Sequence, residues 1–195
     1  NQRVDYIIEQ TNYYGYSGER VKGLMFCSSK KEAAALSERL NLRGYRTIAL
    51  SGEDSQEKRE DAIDRLVSDT RSDYLQYILT VDIFNEGVDI PEINQVVLLR
   101  PTQSPIVFVQ QLGRGLRKSK GKEYVVILDF IGNYKNNFMI PIALSGDRSY
   151  NKDNIRRYVL EGERIIPGSS TIHFDEISKK QIFASIDTAN FADIK

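Results

Sequence analysis

Gly23-Leu24-Met25-Phe26-Cys27-Ser28-Ser29 is the stretch on which the fold turns. Its first five residues carry no charge and read as a short buried strand. Ser28 and Ser29 end it, and either hydroxyl can accept a backbone N–H and cap a helix. Residues 30–43 then place Ala33, Ala34, Ala35, Leu36 and Leu40 at roughly helical spacing, and Gly44 stops them. A buried strand that feeds directly into a capped helix is a building unit of a parallel sheet.

The same alternation continues downstream. Residues 46–50 read as a strand, Ser51-Gly52 as a turn, and residues 55–67 as a charged helix. Asp54 and Ser55 are both good caps for that helix, and Ile63, Leu66 and Val67 are expected to face inward. Residues 75–81, 94–99 and 123–128 read as further strands, with a helix from Ser104 between the last two. Upstream, residues 1–19 read as a helix and a turn, Gly15-Tyr16-Ser17-Gly18. Its tyrosines, Tyr6, Tyr13, Tyr14 and Tyr16, suit either packing on a neighbouring domain or stacking on bases.

Beyond Asp129 the alternation fades. Helices are expected over 133–144, where Pro141 would kink or end the helix, over 154–160 and over 178–190, with Ile182, Phe183 and Ile186 inward. A short strand is expected over 171–174. The predicted fold class is α/β: a mostly parallel sheet sandwiched by helices, with a small, mainly helical C-terminal appendage. The expected division is 1–21 as an N-terminal helix and linker from a preceding lobe, 22–144 as the sheet domain, and 145–195 as a C-terminal extension. Ligands of such sheets bind at the carboxyl ends of the strands.

Composition narrows the function classes. The chain has 195 residues, with 27 Lys+Arg against 27 Asp+Glu, which disfavours a protein that coats nucleic acid by bulk charge but permits a local groove. A single cysteine, Cys27, excludes an intrachain disulfide, and a single histidine, His173, makes a His-based metal site or triad unexpected. His173 is read as structural. No metal ligand is assigned, no membrane partner is expected, and a cytoplasmic location is the default expectation. Arg148, Lys152, Arg156 and Arg157 read either as a basic patch or as a solvated charged face.

Two stretches carry chemistry. In Gln110-Gln111-Leu112-Gly113-Arg114-Gly115-Leu116-Arg117, a helix would bring Gln110, Arg114 and Arg117 within about 60° of one another. Two guanidiniums on one stripe can grip a multiply charged anion. In Thr80-Val81-Asp82-Ile83-Phe84-Asn85-Glu86-Gly87-Val88-Asp89-Ile90-Pro91, Thr80 offers a hydroxyl and an N–H at a strand end. Gly87 permits close backbone approach, and Asp89 can accept from ribose hydroxyls. Taken alone, Asp82 also reads as a helix cap and Asp89 as a turn former.

Together, T-x-D-x-x-x-x-G-V-D-I-P, a strand and Q-x-x-G-R-x-x-R resemble motifs V and VI of superfamily 2 helicases. Residues 25–29 resemble motif IV, and Leu50-Ser51-Gly52 with Arg59 is similar to the motif IVa region. The resemblance covers about 22–130 and implies the second, C-terminal RecA-like lobe of a DEAD/DEAH-type helicase. The downstream region is similar to a bacterial restriction or defence-associated group.

The resemblance implies catalytic roles for Arg117, as arginine finger on the γ-phosphate, and for Arg114. It implies cofactor contacts from Gln110, Gly87 and Asp89, and nucleic-acid backbone contacts from Ser28, Ser51, Gly52 and Thr80. The implied cofactors are ATP and Mg²⁺, the metal held mainly by a first lobe. The implied partners are nucleic acid, DNA ahead of RNA, and an N-terminal RecA-like lobe of the same protein. The chain contains no G-x-x-x-x-G-K-[ST] loop. Alone it is expected to bind ATP weakly and hydrolyse it negligibly. The alternative is a non-hydrolysing RecA-like module that binds nucleic acid or protein. A dinucleotide enzyme is disfavoured because no G-x-G-x-x-G follows the first strand.

Overall fold

The computed structural model describes residues 2–81, 90–100, 119–130, 141, 149, 151–161 and 174–188. These divide between two compact units, one formed by the described residues of 2–130 and the other by those of 141–188. The first contains α1 (Gln2–Tyr14), β1 (Gly23–Phe26), α2 (Lys30–Asn41), β2 (Thr47–Leu50), α3 (Gln56–Val67), β3 (Tyr77–Thr80), β4 (Gln95–Leu98) and β5 (Val126–Asp129). Its five strands are all parallel, in the order β2-β3-β1-β4-β5.

Alternation along the strands builds two buried faces. Met25, Cys27, Tyr77, Leu79, Val97 and Leu99 share a cluster with Val4 and Ile7 of α1 and with Leu36 and Leu40 of α2. Leu24, Phe26, Ile78, Val96 and Leu98 alternate with them and are buried too. A sheet covered on both faces explains why its strands read as continuous apolar runs. Cys27 lies at the centre of this packing, and burial, with the Glu32 charge second, pushes its thiol up to about 12.

The amino ends of the strands are held by polar side chains. Buried Gln95 donates from Nε2 to the carbonyls of Thr11 (3.0 Å) and Gly15 (2.7 Å) at the end of α1, and accepts from the Tyr77 hydroxyl at 2.6 Å. Buried Asn94 donates to the carbonyls of Ser17 (2.7 Å) and Arg20 (2.8 Å) and accepts from the Lys22 N–H at 2.8 Å. These bonds fix α1 and the segment after it on the sheet, so residues 2–21 pack with the first unit. Gly23 is needed where it stands, because a Cβ there would lie 2.3 Å from the Tyr77 ring.

Element boundaries moved for identifiable reasons. The second helix ends at Asn41 rather than 43, because Arg43 and Gly44 bond in tighter turns and Gly44 takes φ +86°. The third strand starts at Tyr77 rather than 75, because the Leu75 N–H donates to the Arg65 carbonyl. The last strand covers 126–129 rather than 123–128. The Glu123 N–H is taken by the Ser17 hydroxyl at 2.8 Å, and pairing begins only where Val126 meets Asn94. On α3 the buried pair is Ala62 and Leu66, whereas Ile63 and Val67 are only half-buried.

The second unit contains α4 (Lys152–Glu161) and α5 (Glu176–Thr188), which pack through Ile155, Tyr158 and Val159 on one and Ile182 and Ile186 on the other. Phe183, expected inward, is half-buried. Arg156 is paired with both Asp153 and Asp187, so it belongs to a charge network within this unit. Arg157 is exposed, and Arg148 lies outside the described residues, as do the helix expected over 133–144 (Pro141 apart) and His173. No described helix is long and apolar enough to cross a membrane.

Candidate functional site

The parallel order sends every carboxyl strand end to one rim, and the register aligns them. Leu50 and Phe26 both face Thr80, and Phe26 also faces Leu98. The four candidate nucleic-acid residues therefore lie at the ends of three neighbouring strands: Ser51 and Gly52 after β2, Thr80 at the end of β3, and Ser28 just after β1. At the usual strand spacing this line is roughly 10 Å wide.

Each position has its own environment. Ser28 is exposed, and its hydroxyl faces the Leu99 carbonyl at 3.5 Å. Its N–H donates to Glu32 Oε2 at 2.7 Å, and Glu32 Oε1 pairs with Arg3 Nη2 of α1 at 2.6 Å. Ser29 caps α2 by accepting the Glu32 N–H at 3.1 Å. Ser29-x-x-Glu32 is thus a form of capping box, a spacing that sequence inspection could have recognised.

Ser51 repeats the arrangement. Its N–H donates to Asp54 Oδ2 at 2.6 Å, and Asp54 Oδ1 accepts from Lys58 Nζ at 2.5 Å. Arg59 donates from Nε (3.0 Å) and Nη2 (2.8 Å) to the Asp54 carbonyl, which pins the turn against α3. Ser55 caps α3 through the Lys58 N–H at 3.2 Å. Gly52 is exposed, and a Cβ placed on it would meet nothing within 4 Å, so its backbone is open to close approach. Lys30 Nζ reaches Glu53 Oε1 at 2.5 Å and ties the two serine corners together.

Thr80 lies between them and differs from both. It is wholly buried, its carbonyl accepts the Cys27 N–H at 2.8 Å, and its hydroxyl has no hydrogen-bond partner among the described residues. A buried hydroxyl without a partner costs about 1–3 kcal/mol. Across β1, Arg100 follows β4 with its guanidinium 5.9 Å from the Phe26 ring centre.

The hydrogen bond to Lys58, and then that from Ser51, hold the Asp54 carboxyl below the usual carboxylate range. A depressed folded-state pKa contributes stability that is present above the unfolded value of about 3.9 and lost as pH falls through the folded value. Asp54→Asn should therefore lower the melting temperature at pH 7, and the difference from the parent should shrink once the pH falls below about 4. A difference that stays constant across pH 3–7 would remove this assignment.

Gln110, Arg114, Arg117, Gly87 and Asp89 lie outside the described residues, as does Asp82. Among the described residues, no three potential metal ligands of the His, Cys, Asp or Glu type converge. The described rim carries hydroxyls and backbone N–H groups of a kind suited to phosphate oxygens rather than base edges, with the Ser28 and Ser51 N–H groups held by Glu32 and Asp54 and Thr80 buried beneath them.

The helicase conserved C-terminal domain family matches residues 3–119. The chain is 30% identical over 102 residues to the ATP-dependent RNA helicase SrmB of Haemophilus influenzae, covering 52% of this chain and 22% of that protein. It is 32% identical over 102 residues to the ATP-dependent RNA helicase DBP3 of Vanderwaltozyma polyspora, covering 52% and 18%. The chain spans only 18% to 28% of the length of the first curated relatives it matches.

Among solved structures, the yeast DEAD-box splicing factor Prp28 superposes with a TM-score of 0.61 at 18% identity, covering 93% of this chain and 34% of that one. The C-terminal domain of the DEAD-box protein Dbp5 gives 0.53 at 23% identity, covering 80% and 77%. At these identities the likeness speaks for the fold, which is RecA-like.

Proposed function

The chain belongs to the helicase conserved C-terminal domain family, and from that premise we propose that it is the second motor lobe of an ATP-dependent superfamily 2 helicase or translocase. ATP would lie between this lobe and a first RecA-like lobe that supplies the phosphate-gripping lysine loop and the Mg²⁺ carboxylates. On this side, Gln110, Gly87 and Asp89 would border the nucleotide, and Arg114 and Arg117 would face its phosphates. Fixed guanidiniums stabilise charge spreading over the phosphoryl oxygens.

Nucleic acid would run along the rim, held by Ser28, Ser51, Gly52 and Thr80 through its backbone. The single observation that carries this reading is the alignment of those residues on three adjacent parallel strand ends inside the segment the family matches. Contacts to phosphates position a strand without reading its sequence. Relatives named as RNA helicases bring RNA level with the DNA that the sequence resemblance put first.

The test compares this chain alone with a longer protein that carries a first lobe as well. ATP hydrolysis is measured with and without single-stranded DNA or RNA. The expected result is negligible turnover by the chain alone and nucleic-acid-stimulated turnover by the two-lobed protein. Binding of nucleic acid without any stimulated turnover in the two-lobed protein would favour a non-hydrolysing module instead.

A further inference from the structure

Both serine corners of the rim share one arrangement. At Ser28 the peptide N–H is taken by Glu32, whose second oxygen is held by Arg3 at 2.6 Å. At Ser51 the peptide N–H is taken by Asp54, whose second oxygen is held by Lys58 at 2.5 Å. In each case a carboxylate occupies the donor that a phosphate oxygen would use, and a cation backs the carboxylate, Arg3 from the neighbouring α1 and Lys58 from α3, the helix that Asp54 leads into. The strand between them carries Thr80, whose buried hydroxyl has no partner among the described residues. The rim thus has two donors filled by internal anions on either side of one unfilled hydroxyl.

We infer that Glu32 and Asp54 are internal occupants of the phosphate-binding donors at Ser28 and Ser51, and that a nucleic-acid backbone gains these donors by displacing them. This rests on the nucleic-acid reading of the rim and specifies how that site is regulated. Arg3 and Lys58 are positioning residues: they keep each carboxylate neutralised when bound and give it a place to remain once displaced. An intramolecular carboxylate must be outcompeted, so the site favours ligands that present two phosphates at once over single anions. Because Arg3 belongs to α1, the arrangement of that helix sets how firmly Glu32 is held.

Physical chemistry fixes the signs. Glu32→Gln keeps an acceptor for the Ser28 N–H and the capping spacing, but removes a negative charge beside an incoming phosphate. Arg3→Ala leaves the Glu32 charge without its partner. A residue that merely shaped the loop would give weaker binding when either side is changed. The inference instead requires opposite signs.

The experiment measures affinity of the protein for fluorescein-labelled oligo(dT) and oligo(rU) strands as a function of salt, with thermal melting to confirm folding. Glu32→Gln should tighten binding by about three- to tenfold at low salt, and Glu32→Gln with Asp54→Asn should tighten it further. Arg3→Ala should weaken it by a similar factor. Each effect should shrink as the Debye length falls below about 10 Å above 0.1 M salt. Glu9→Gln, an exposed carboxylate of α1 with no rim donor, serves as the net-charge control and should leave affinity within about twofold. Equal tightening by Glu9→Gln, or unchanged or weaker binding by folded Glu32→Gln, overturns the inference alone. Absence of binding by the parent and every variant overturns the nucleic-acid reading and this inference with it.

Discussion

Arg117→Ala is expected to lower nucleic-acid-stimulated ATP turnover of the two-lobed protein by about a thousandfold or more, with nucleic-acid affinity staying within about twofold. The asymmetry follows from where the charge develops. The transferred phosphoryl group spreads negative charge over its oxygens only in the transition state, so a guanidinium aimed there changes turnover more than ground-state binding. The nucleic-acid backbone, in contrast, is proposed to rest on Ser28, Ser51, Gly52 and Thr80 at the strand ends. Arg117→Lys should recover little, because a compact ammonium cannot reproduce the planar fork of the guanidinium. Steady-state hydrolysis at saturating nucleic acid gives the measurement. Turnover within tenfold of the parent would remove Arg117 from the finger role and leave the family assignment untouched.

Arg20→Met should lower stability by about 3–5 kcal/mol, the largest loss expected from one side chain outside the apolar core. The Arg20 guanidinium donates to the carbonyls of Leu66 (2.7 Å), Ser68 (2.6 Å) and Leu75 (2.9 Å), and Nε faces Asp69 at 3.3 Å. Two of those carbonyls close the end of α3, where unpaired carbonyls and the helix dipole concentrate negative charge. Lys22 adds a bond to the Val67 carbonyl at 2.8 Å and an ion pair with Asp69 at 2.7 Å, and it is the first cause of the lowered Asp69 carboxyl. The ring of Tyr74 lies 5.0 Å from the guanidinium and covers it. Methionine fills much of the same volume but leaves the carbonyls without donors, which is why the cost exceeds that of a surface ion pair. Urea unfolding at pH 7 measures the effect, and an unchanged m-value would show that the denatured state is the same. A loss below about 1 kcal/mol would mean that water replaces the guanidinium at no penalty.

The sheet was legible because its strands are buried on both faces, so uninterrupted runs such as Leu24-Met25-Phe26 declare themselves by composition alone. Caps were legible for the same local reason: Ser29 and Ser55 stand where their hydroxyls meet the third N–H beyond. What sequence reading missed depends on distant partners. Glu123 and Tyr124 have strand-like neighbours, yet Ser17 and Tyr16, more than a hundred residues away, engage them first. Gln95 and Asn94 looked like ordinary strand-start residues, and only the docked chain reveals Gln95 as the anchor of α1 and Asn94 as the anchor of the segment after it. At the rim the hydroxyl-bearing residues were readable as candidates, because serine and threonine at strand ends are conspicuous. Glu32 stood at a capping spacing from Ser29 and Asp54 stood among the cap residues of α3, but the bonds that carry them back to the Ser28 and Ser51 N–H groups were not readable, because they depend on the turn geometry.

The strand order also governs when the molecule can assemble as it leaves the ribosome. β1 comes first of the five strands in sequence but lies in the middle of the sheet, between β3 and β4, so its partners are 54 and 72 residues later in register. Until the chain has been made through Leu98, Leu24, Met25 and Phe26 have no complete place to be buried, and Gln95 is not there to hold α1. Assembly dominated by such remote pairings is slow and exposes apolar segments while it waits. The central strand is therefore the first of the five to be synthesised and among the last to be enclosed, which leaves residues 23–27 exposed while their partners are made.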